Sequence, residues 1–122
     1  MPEPLNLTVS LRGTRDVSEN YQVFRLAGLL DAFSEPVFKK ILAKFAEDGP
    51  PYLILDLSAI DFVDSSGLGA LVQLHKKAVG ANGSLQIISN TRVTQTVRMG
   101  RLEQFLSIRP SIDEAITHIP AK

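Results

Sequence analysis

Leu5, Leu7, Val9 and Leu11 alternate with Asn6, Thr8, Ser10 and Arg12, the period of a half-buried strand. The polar stretch from Gly13 to Asn20 reads as a loop. Tyr21 to Leu26 resumes a strand-like composition and stops at Gly28, so the two runs are expected to pair as an antiparallel hairpin. The period then changes. Ser34 can cap a helix whose first turn holds Glu35 and Pro36, both favoured there. Phe38, Ile41, Leu42 and Phe45, with Val37, mark one face at helical spacing, and Gly49 and Pro50 stop it.

Tyr52-Leu53-Ile54-Leu55-Asp56-Leu57 is almost continuously apolar, as in a central strand covered on both faces. After a short connection, Ser65 or Ser66 opens a second helix reaching about Val79. Ala81-Asn82-Gly83 is a turn, and Leu85 to Ile88 a further buried strand. Asn90 or Thr91 can cap a third helix ending near Gly100, Phe105 to Ile108 is a short last strand, and Ser111-Ile112-Asp113-Glu114 has the spacing of a capping box for a final helix. Strands alternating with helices require crossover connections, hence an α/β domain with a mostly parallel or mixed sheet. With no repeat, low-complexity tract or linker, the 122 residues read as one complete domain, its core spanning 5–119.

Composition narrows the function. Thirteen basic and thirteen acidic side chains cancel, so a phosphate-neutralising surface for nucleic acid is not indicated. The chain has no cysteine, which removes disulfides and thiolate metal sites and fits a reducing compartment. Met1-Pro2-Glu3-Pro4, with no basic residue and no long apolar run behind it, does not read as a signal peptide, and no stretch approaches the ~20 apolar residues of a membrane span. A cytoplasmic protein without membrane or nucleic-acid partners is expected, with a monomer the simplest assembly.

The informative segment is Asp61-Phe62-Val63-Asp64-Ser65-Ser66-Gly67-Leu68-Gly69. It leaves a buried strand and enters a helix, where α/β sheets place functional loops. Two hydroxyls there lie in the positive end of the helix field, beside backbone N–H groups without helical acceptors. A phosphate on either would be stabilised. Gly67 and Gly69 each cost a helix about 0.5–1 kcal/mol relative to alanine, which suggests close approach by another backbone, internal or from a partner. The plainer reading makes Asp64 or Ser65 an N-cap and the glycines a means of packing on the sheet.

Phe62-Val63-Asp64-Ser65-Ser66-Gly67-Leu68-Gly69-Ala70-Leu71, after the strand Leu53 to Leu57, resembles the signature of the STAS domain, specifically of bacterial anti-sigma factor antagonists. Gly28-Leu29-Leu30-Asp31 is similar to the family's turn after its second strand. The resemblance implies a four- or five-stranded mixed sheet with about four helices packed mainly on one face. It implies phosphorylation of the second serine, Ser66, by a partner that is both anti-sigma factor and serine kinase of the histidine-kinase-like ATPase fold. The unphosphorylated form would bind that partner and free its sigma factor, and a PP2C-type phosphatase would restore the serine. Asp31, Asp64, Ser65, Gly67, Leu68 and Gly69 would form the docking surface. Where the family usually carries an acid after the turn glycine, this chain has Leu29, so its partner is expected to differ in detail. Two alternatives share the fold: an adaptor in a partner-switching pathway with a non-sigma output, and a small-ligand-sensing module with a pocket near Gly28 and Asp31.

Other chemistries find less support. Asp64-Ser65-Ser66-Gly67 lacks the glycine of a G-x-S-x-G elbow. His75 follows Ser66 by nine positions on the same helix, about 13.5 Å along its axis at ~1.5 Å per residue, and a serine–base pair needs roughly 2.6–3.2 Å. His118 stands in the last helix. No enzyme activity and no cofactor are expected. Gly67-Leu68-Gly69 is a lone G-x-G with Val72 at the third glycine position, and no Walker loop occurs. Asp56, Asp61 and Asp64 read as solvated or capping acids rather than a magnesium cluster, and two distant histidines make no metal site. Arg92, Arg98, Arg101 and Arg109 give a local basic excess best read as solvated.

Overall fold

The computed structural model describes residues 2–120. Six strands, β1 (Glu3–Leu5), β2 (Leu11–Val17), β3 (Gln22–Leu30), β4 (Tyr52–Val63), β5 (Ser84–Ile88) and β6 (Ser107–Arg109), form one sheet in sequence order. β1, β2 and β3 pair antiparallel, and β3 through β6 pair parallel. The helices are α1 (Glu35–Asp48), α2 (Ser65–Gly80), α3 (Thr91–Met99) and α4 (Ile112–Ile116). Each parallel pair is joined by a crossover, as the alternation requires. The mixed α/β architecture is as expected, with six strands rather than four or five.

The core lies between the sheet and the first three helices. Phe38, Leu42 and Ala46 of α1, Leu71, Leu74 and Ala78 of α2, and Val93 and Val97 of α3 join Phe24, Leu26, Leu53, Leu55, Leu57, Leu85 and Ile87 in one cluster. A smaller cluster on the opposite face packs Ala115 of α4 onto Val23, Ile54 and Ile88. Central strands sandwiched this way need apolar residues at successive positions, which is why Leu53, Ile54 and Leu55 run together at 0% exposure.

Several boundaries differ from the sequence reading, each for a physical reason. The run Leu5–Leu11 is not one strand: β1 ends at Leu5, and β2 begins at Leu11. The stretch read as a loop from Gly13 is mostly β2, whose partner in the hairpin is β3. Gly13 faces Leu26 so closely that a Cβ there would lie 2.5 Å from its Cδ2. Arg15 stacks 4.0 Å over the Phe45 ring and donates from Nε to Gln22 Oε1 at 2.8 Å. An inward-facing glycine and an inward-lying arginine stem replace the apolar residues that signal a strand.

β3 does not stop at Gly28 but passes through it to Leu30. Gly28 takes φ +110, where a Cβ would meet Ser10 O at 2.1 Å, so only glycine fits. Ser34 holds the N-cap position of α1 without a side-chain cap bond. Its Oγ instead donates to Leu29 O at 2.8 Å and accepts from Asp31 N at 3.1 Å. β4 continues past Leu57 because the register to β3 shifts twice, between Arg25 and Ala27 and between Gly28 and Leu29. From Leu57 the buried positions are Leu57, Ile60 and Val63, separated by exposed pairs. Each bulge inserts one residue and breaks the alternation.

Candidate functional site

The second bulge sets the geometry of the site. It turns Phe62 outward, 48% exposed, and brings Val63 back into the core at 2%. Val63 is thus the last residue of β4, and Asp64 stands extended at the N-cap of α2. Asp64 Oδ1 accepts from Gly67 N at 2.9 Å, the bond of an N-cap. Asp64 Oδ2 accepts from Ala32 N at 3.1 Å, and Asp64 N donates to Leu30 O at 3.3 Å. The helix start and the loop after β3 are therefore clamped together.

That loop is internally built by Asp31. Its Oδ1 accepts from Phe33 N and Ser34 N, both at 3.1 Å. Asp31 thus shapes a turn, as short acidic side chains do, and leaves Phe33 70% exposed at its apex. Leu29 pairs with Phe62 across β3 and β4 and is half-buried.

Ser65 and Ser66 occupy the first two positions of α2. Ser65 is exposed and Ser66 half-buried, and neither hydroxyl enters a side-chain hydrogen bond among the described residues. Their own N–H groups belong to the first turn, which lacks helical acceptors. The two glycines part company. A Cβ on Gly67 would sit 2.3 Å from Leu30 O, so the approach it permits is internal. Gly69 is exposed, with nothing within 4 Å of the same added atom. Leu68 is 8% exposed and belongs to the core cluster.

Of the six residues named as a docking surface, the structure brings Asp31, Asp64, Ser65 and Gly69 to the surface or its edge and places Gly67 and Leu68 inside. Phe33 and Phe62 also stand exposed beside this site, and the sequence pattern points to neither: alternation from Ile60 would turn Phe62 inward without the bulge.

The remaining candidates disperse. His75 packs edge-on against Phe105, ring centroids 4.7 Å apart. Asp56 accepts from Ser58 Oγ at 2.6 Å. Among the described residues no group of three or more histidines and acids is placed to hold a metal ion. Arg92 donates to Asp61 O at 3.1 Å and Arg109 to Gln86 at 2.6 Å; Arg92, Arg98 and Arg101 are exposed and Arg109 is half-buried. At Gly28 the space of a pocket is filled by the Ser10 backbone. No helix among the described residues is long and apolar enough to cross a membrane.

A six-stranded mixed sheet whose fourth strand feeds an aspartate-capped helix bearing a serine pair defines a small α/β domain. The STAS domain model matches residues 11–115, and the chain belongs to that family. It resembles the anti-sigma factor antagonists within it. The anti-sigma-F factor antagonist RsfB of Mycobacterium tuberculosis is 22% identical over 120 residues, 98% of this chain and 94% of RsfB. The crystal structure of an anti-sigma factor antagonist from Mycobacterium paratuberculosis superimposes with a TM-score of 0.80 at 22% identity, covering 90% of this chain and 94% of that one. The anti-sigma factor antagonist SpoIIAA in its unphosphorylated form gives 0.72 at 20% identity, over 85% and 92%. The phosphorylated form of SpoIIAA, a Bacillus cell fate determinant, gives 0.63 at 17%, over 86% and 96%.

Proposed function

We propose that this protein is a binding switch that captures an anti-sigma factor while Ser66 is unmodified and releases it when Ser66 is phosphorylated. The observation that carries the reading is the state of Ser66: an unbonded, half-buried hydroxyl in the first turn of a helix whose start is held rigid by Asp64. Such a hydroxyl is reachable yet fixed in place, as a phosphoacceptor must be. The relatives named as anti-sigma factor antagonists, one of them solved with and without phosphate, support the class of partner.

The partner in this reading is both anti-sigma factor and serine kinase, of the histidine-kinase-like ATPase fold, and brings the ATP. The γ-phosphoryl group passes to Ser66 Oγ, the hydroxyl proton is lost, and ADP leaves. A PP2C-type phosphatase reverses the modification by hydrolysis. The chain itself supplies the acceptor and the docking surface, and works as a regulator rather than an enzyme of the cytoplasm.

Phosphorylation adds about −1.5 to −2 charges. Within the folded domain the cost is small, because the field and free N–H groups of the helix start receive the anion, worth ~0.3–1 kcal/mol. Across an interface it is large. Phe33 and Phe62 stand exposed on the two segments that Asp64 joins, so a partner surface fitting them is apolar there. Burying a dianion against it without a matching cation forfeits several kcal/mol, and each ~1.4 kcal/mol is tenfold in affinity. The modification therefore acts on binding and not on folding.

The test is capture of the kinase partner from the source cell with the unmodified chain, followed by ATP. One added phosphate mapped to Ser66, with loss of the complex and a sigma factor freed from it, supports the reading. Phosphate on Ser65, or a complex that survives phosphorylation, ends it. A captured kinase that holds no sigma factor favours the adaptor with another output.

A further inference from the structure

The sheet face turned away from α1, α2 and α3 is covered only in part. α4 closes the region of Val23, Ile54 and Ile88. One step further along β3 and β4 the same face carries Arg25, Asp56, Ala27 and Ala59, with Arg12 on β2. These residues line an open trough of about 340 Å³, near the lower end of the size usual for small-molecule sites.

Three independent features distinguish this trough from an ordinary solvated face. Ala27 pairs with Ala59 across β3 and β4 and with Arg12 across β2 and β3. Alanine is depleted in strands, and two facing each other leave a low apolar floor between longer neighbours. The first β4 bulge lies here, and it turns both Ser58 and Ala59 outward between the buried Leu57 and Ile60. Bulges concentrate beside sites, where they re-aim side chains. Asp56 pins this one, its Oδ1 accepting from Ser58 N at 3.0 Å and from Ser58 Oγ at 2.6 Å.

The third feature is charge. Among the described residues no ion pair includes Arg12 or Arg25. They are diagonal neighbours on one face, Arg12 facing Ala27 and Arg25 two positions before it, a separation of ~7–8 Å. Asp56 is the one carboxylate in the lining, so two guanidiniums face a single negative charge already engaged by Ser58.

The geometry points to a binding site on this face for a small organic monocarboxylate, its head between Arg12 and Arg25 and its short apolar body over Ala27 and Ala59. Guanidinium groups offer paired N–H donors that match a carboxylate, and a fixed planar fork gives orientation as well as attraction. One unneutralised positive charge suits a monoanion. The apolar floor selects a ligand with a hydrocarbon part over an inorganic ion. This site differs from the pocket expected near Gly28 and Asp31, and it does not depend on the role of Ser66.

The full chain, labelled with nitrogen-15, is titrated with sodium hexanoate and, at equal ionic strength, with the neutral isostere hexanamide. Saturable shifts confined to the amides of Gly13, Leu26, Ala27, Ser58 and Ala59 are expected with hexanoate. Hexanamide should bind at least about tenfold more weakly, since it loses the charge-assisted contacts. Arg12→Gln and Arg25→Gln, both exposed positions whose unchanged spectra certify the fold, should each weaken hexanoate by about fivefold or more. Equal binding of the amide, shifts elsewhere, indifference to both substitutions, or no saturable shift at millimolar hexanoate would each overturn the site.

Discussion

Asp64 and Ala32 lie 32 positions apart in the chain, yet the Asp64 carboxylate accepts the Ala32 N–H at 3.1 Å while its other oxygen caps α2 at Gly67. This side chain thereby adds to the Asp64 N–Leu30 O bond and the β3–β4 pairing in holding the two segments together. The loop bearing Asp31 and Phe33 cannot drift from the helix bearing Ser66 without breaking a charge-assisted bond.

Removing that clamp has separable consequences. Asp64→Ala should cost about 1–2 kcal/mol, the usual penalty for a lost N-cap, read as a lower denaturant midpoint. Asp64→Asn retains one oxygen for Gly67 but places an NH₂ opposite the Ala32 N–H. Amide exchange should then accelerate at Ala32 while Gly67 stays protected. Equal protection of both amides in Asp64→Asn would show that the clamp is not the stabilising element.

Gly67 and Gly69 should respond in opposite senses. Gly67→Ala forces a methyl to 2.3 Å from Leu30 O and should destabilise by about 1–3 kcal/mol, as overpacking does. Gly69→Ala meets nothing within 4 Å and should stabilise α2 by ~0.5–1 kcal/mol. If Gly69 is kept for a partner that approaches its backbone, the same substitution lowers partner affinity despite raising Tm. Thermal melts and a binding isotherm on one pair of proteins decide both points.

Gln22 is wholly buried, donating to Phe45 O and Pro50 O at 2.8 Å each and accepting from Arg15. It joins the start of β3 to the end of α1, and the absence of a side chain on Gly49 leaves room for it, a Cβ there lying 2.7 Å from its Nε2. Gln22→Leu fills a similar volume but strands the Pro50 carbonyl and the Arg15 Nε–H, while Phe45 O keeps the Gly49 N–H at 3.0 Å. A loss of about 1–3 kcal/mol per unsatisfied buried group applies, so unfolding at a clearly lower urea concentration is expected. A midpoint within error of the unmodified protein would refute this.

How much of this was legible in the sequence follows from where local pattern and tertiary packing agree. α1, α3 and α4 announced themselves through apolar spacing and through Asn90 and Ser111, whose side chains accept from Val93 N and Glu114 N. The start of α2 was legible for the same reason, since Asp64 is a local cap, whereas Ser66 stands out from Ser65 only through the family resemblance. β2 was not, because beyond Leu11 its inner face is made of Gly13 and the stem of Arg15, whose partners Leu26 and Phe45 are distant in sequence. The far half of β4 was hidden by its bulges, which turn a period of two into a period of three over Leu57, Ile60 and Val63. The same irregularity concealed Phe62. A bulge is a property of two strands in register, and one strand's sequence does not contain it.

Phe33 and Phe62 offer a test of the surface without touching the acceptor. Both are exposed, at 70% and 48%, so Phe33→Ala and Phe62→Ala should each change stability by only ~0.5 kcal/mol. Aromatic anchors at the centre of an interface commonly carry ~2 kcal/mol or more. Each substitution is therefore expected to weaken binding of the proposed partner by about tenfold or more while leaving Tm in place. Unchanged affinity in both variants would move the docking surface away from this end of the sheet.

Ser66→Glu separates an effect on folding from an effect on binding. The introduced carboxylate enters the first turn of α2, where an acid is favoured by ~0.3–1 kcal/mol, and Asp64 is already committed to Gly67 and Ala32. Tm should therefore stay level or rise slightly, and the amide spectrum should change only around residues 62–70. Partner binding should fall by orders of magnitude, because the same charge must be desolvated against an apolar surface. Ser65→Glu places an equal charge one residue away on a side chain that is exposed rather than half-buried. Water can remain around it in a complex, so its effect on affinity should be markedly smaller. If both glutamates abolish binding equally, the switch reads net charge at the helix start and not the position of one hydroxyl. If Ser66→Glu unfolds the domain, the loss of binding is a loss of structure, and the switch fails as proposed.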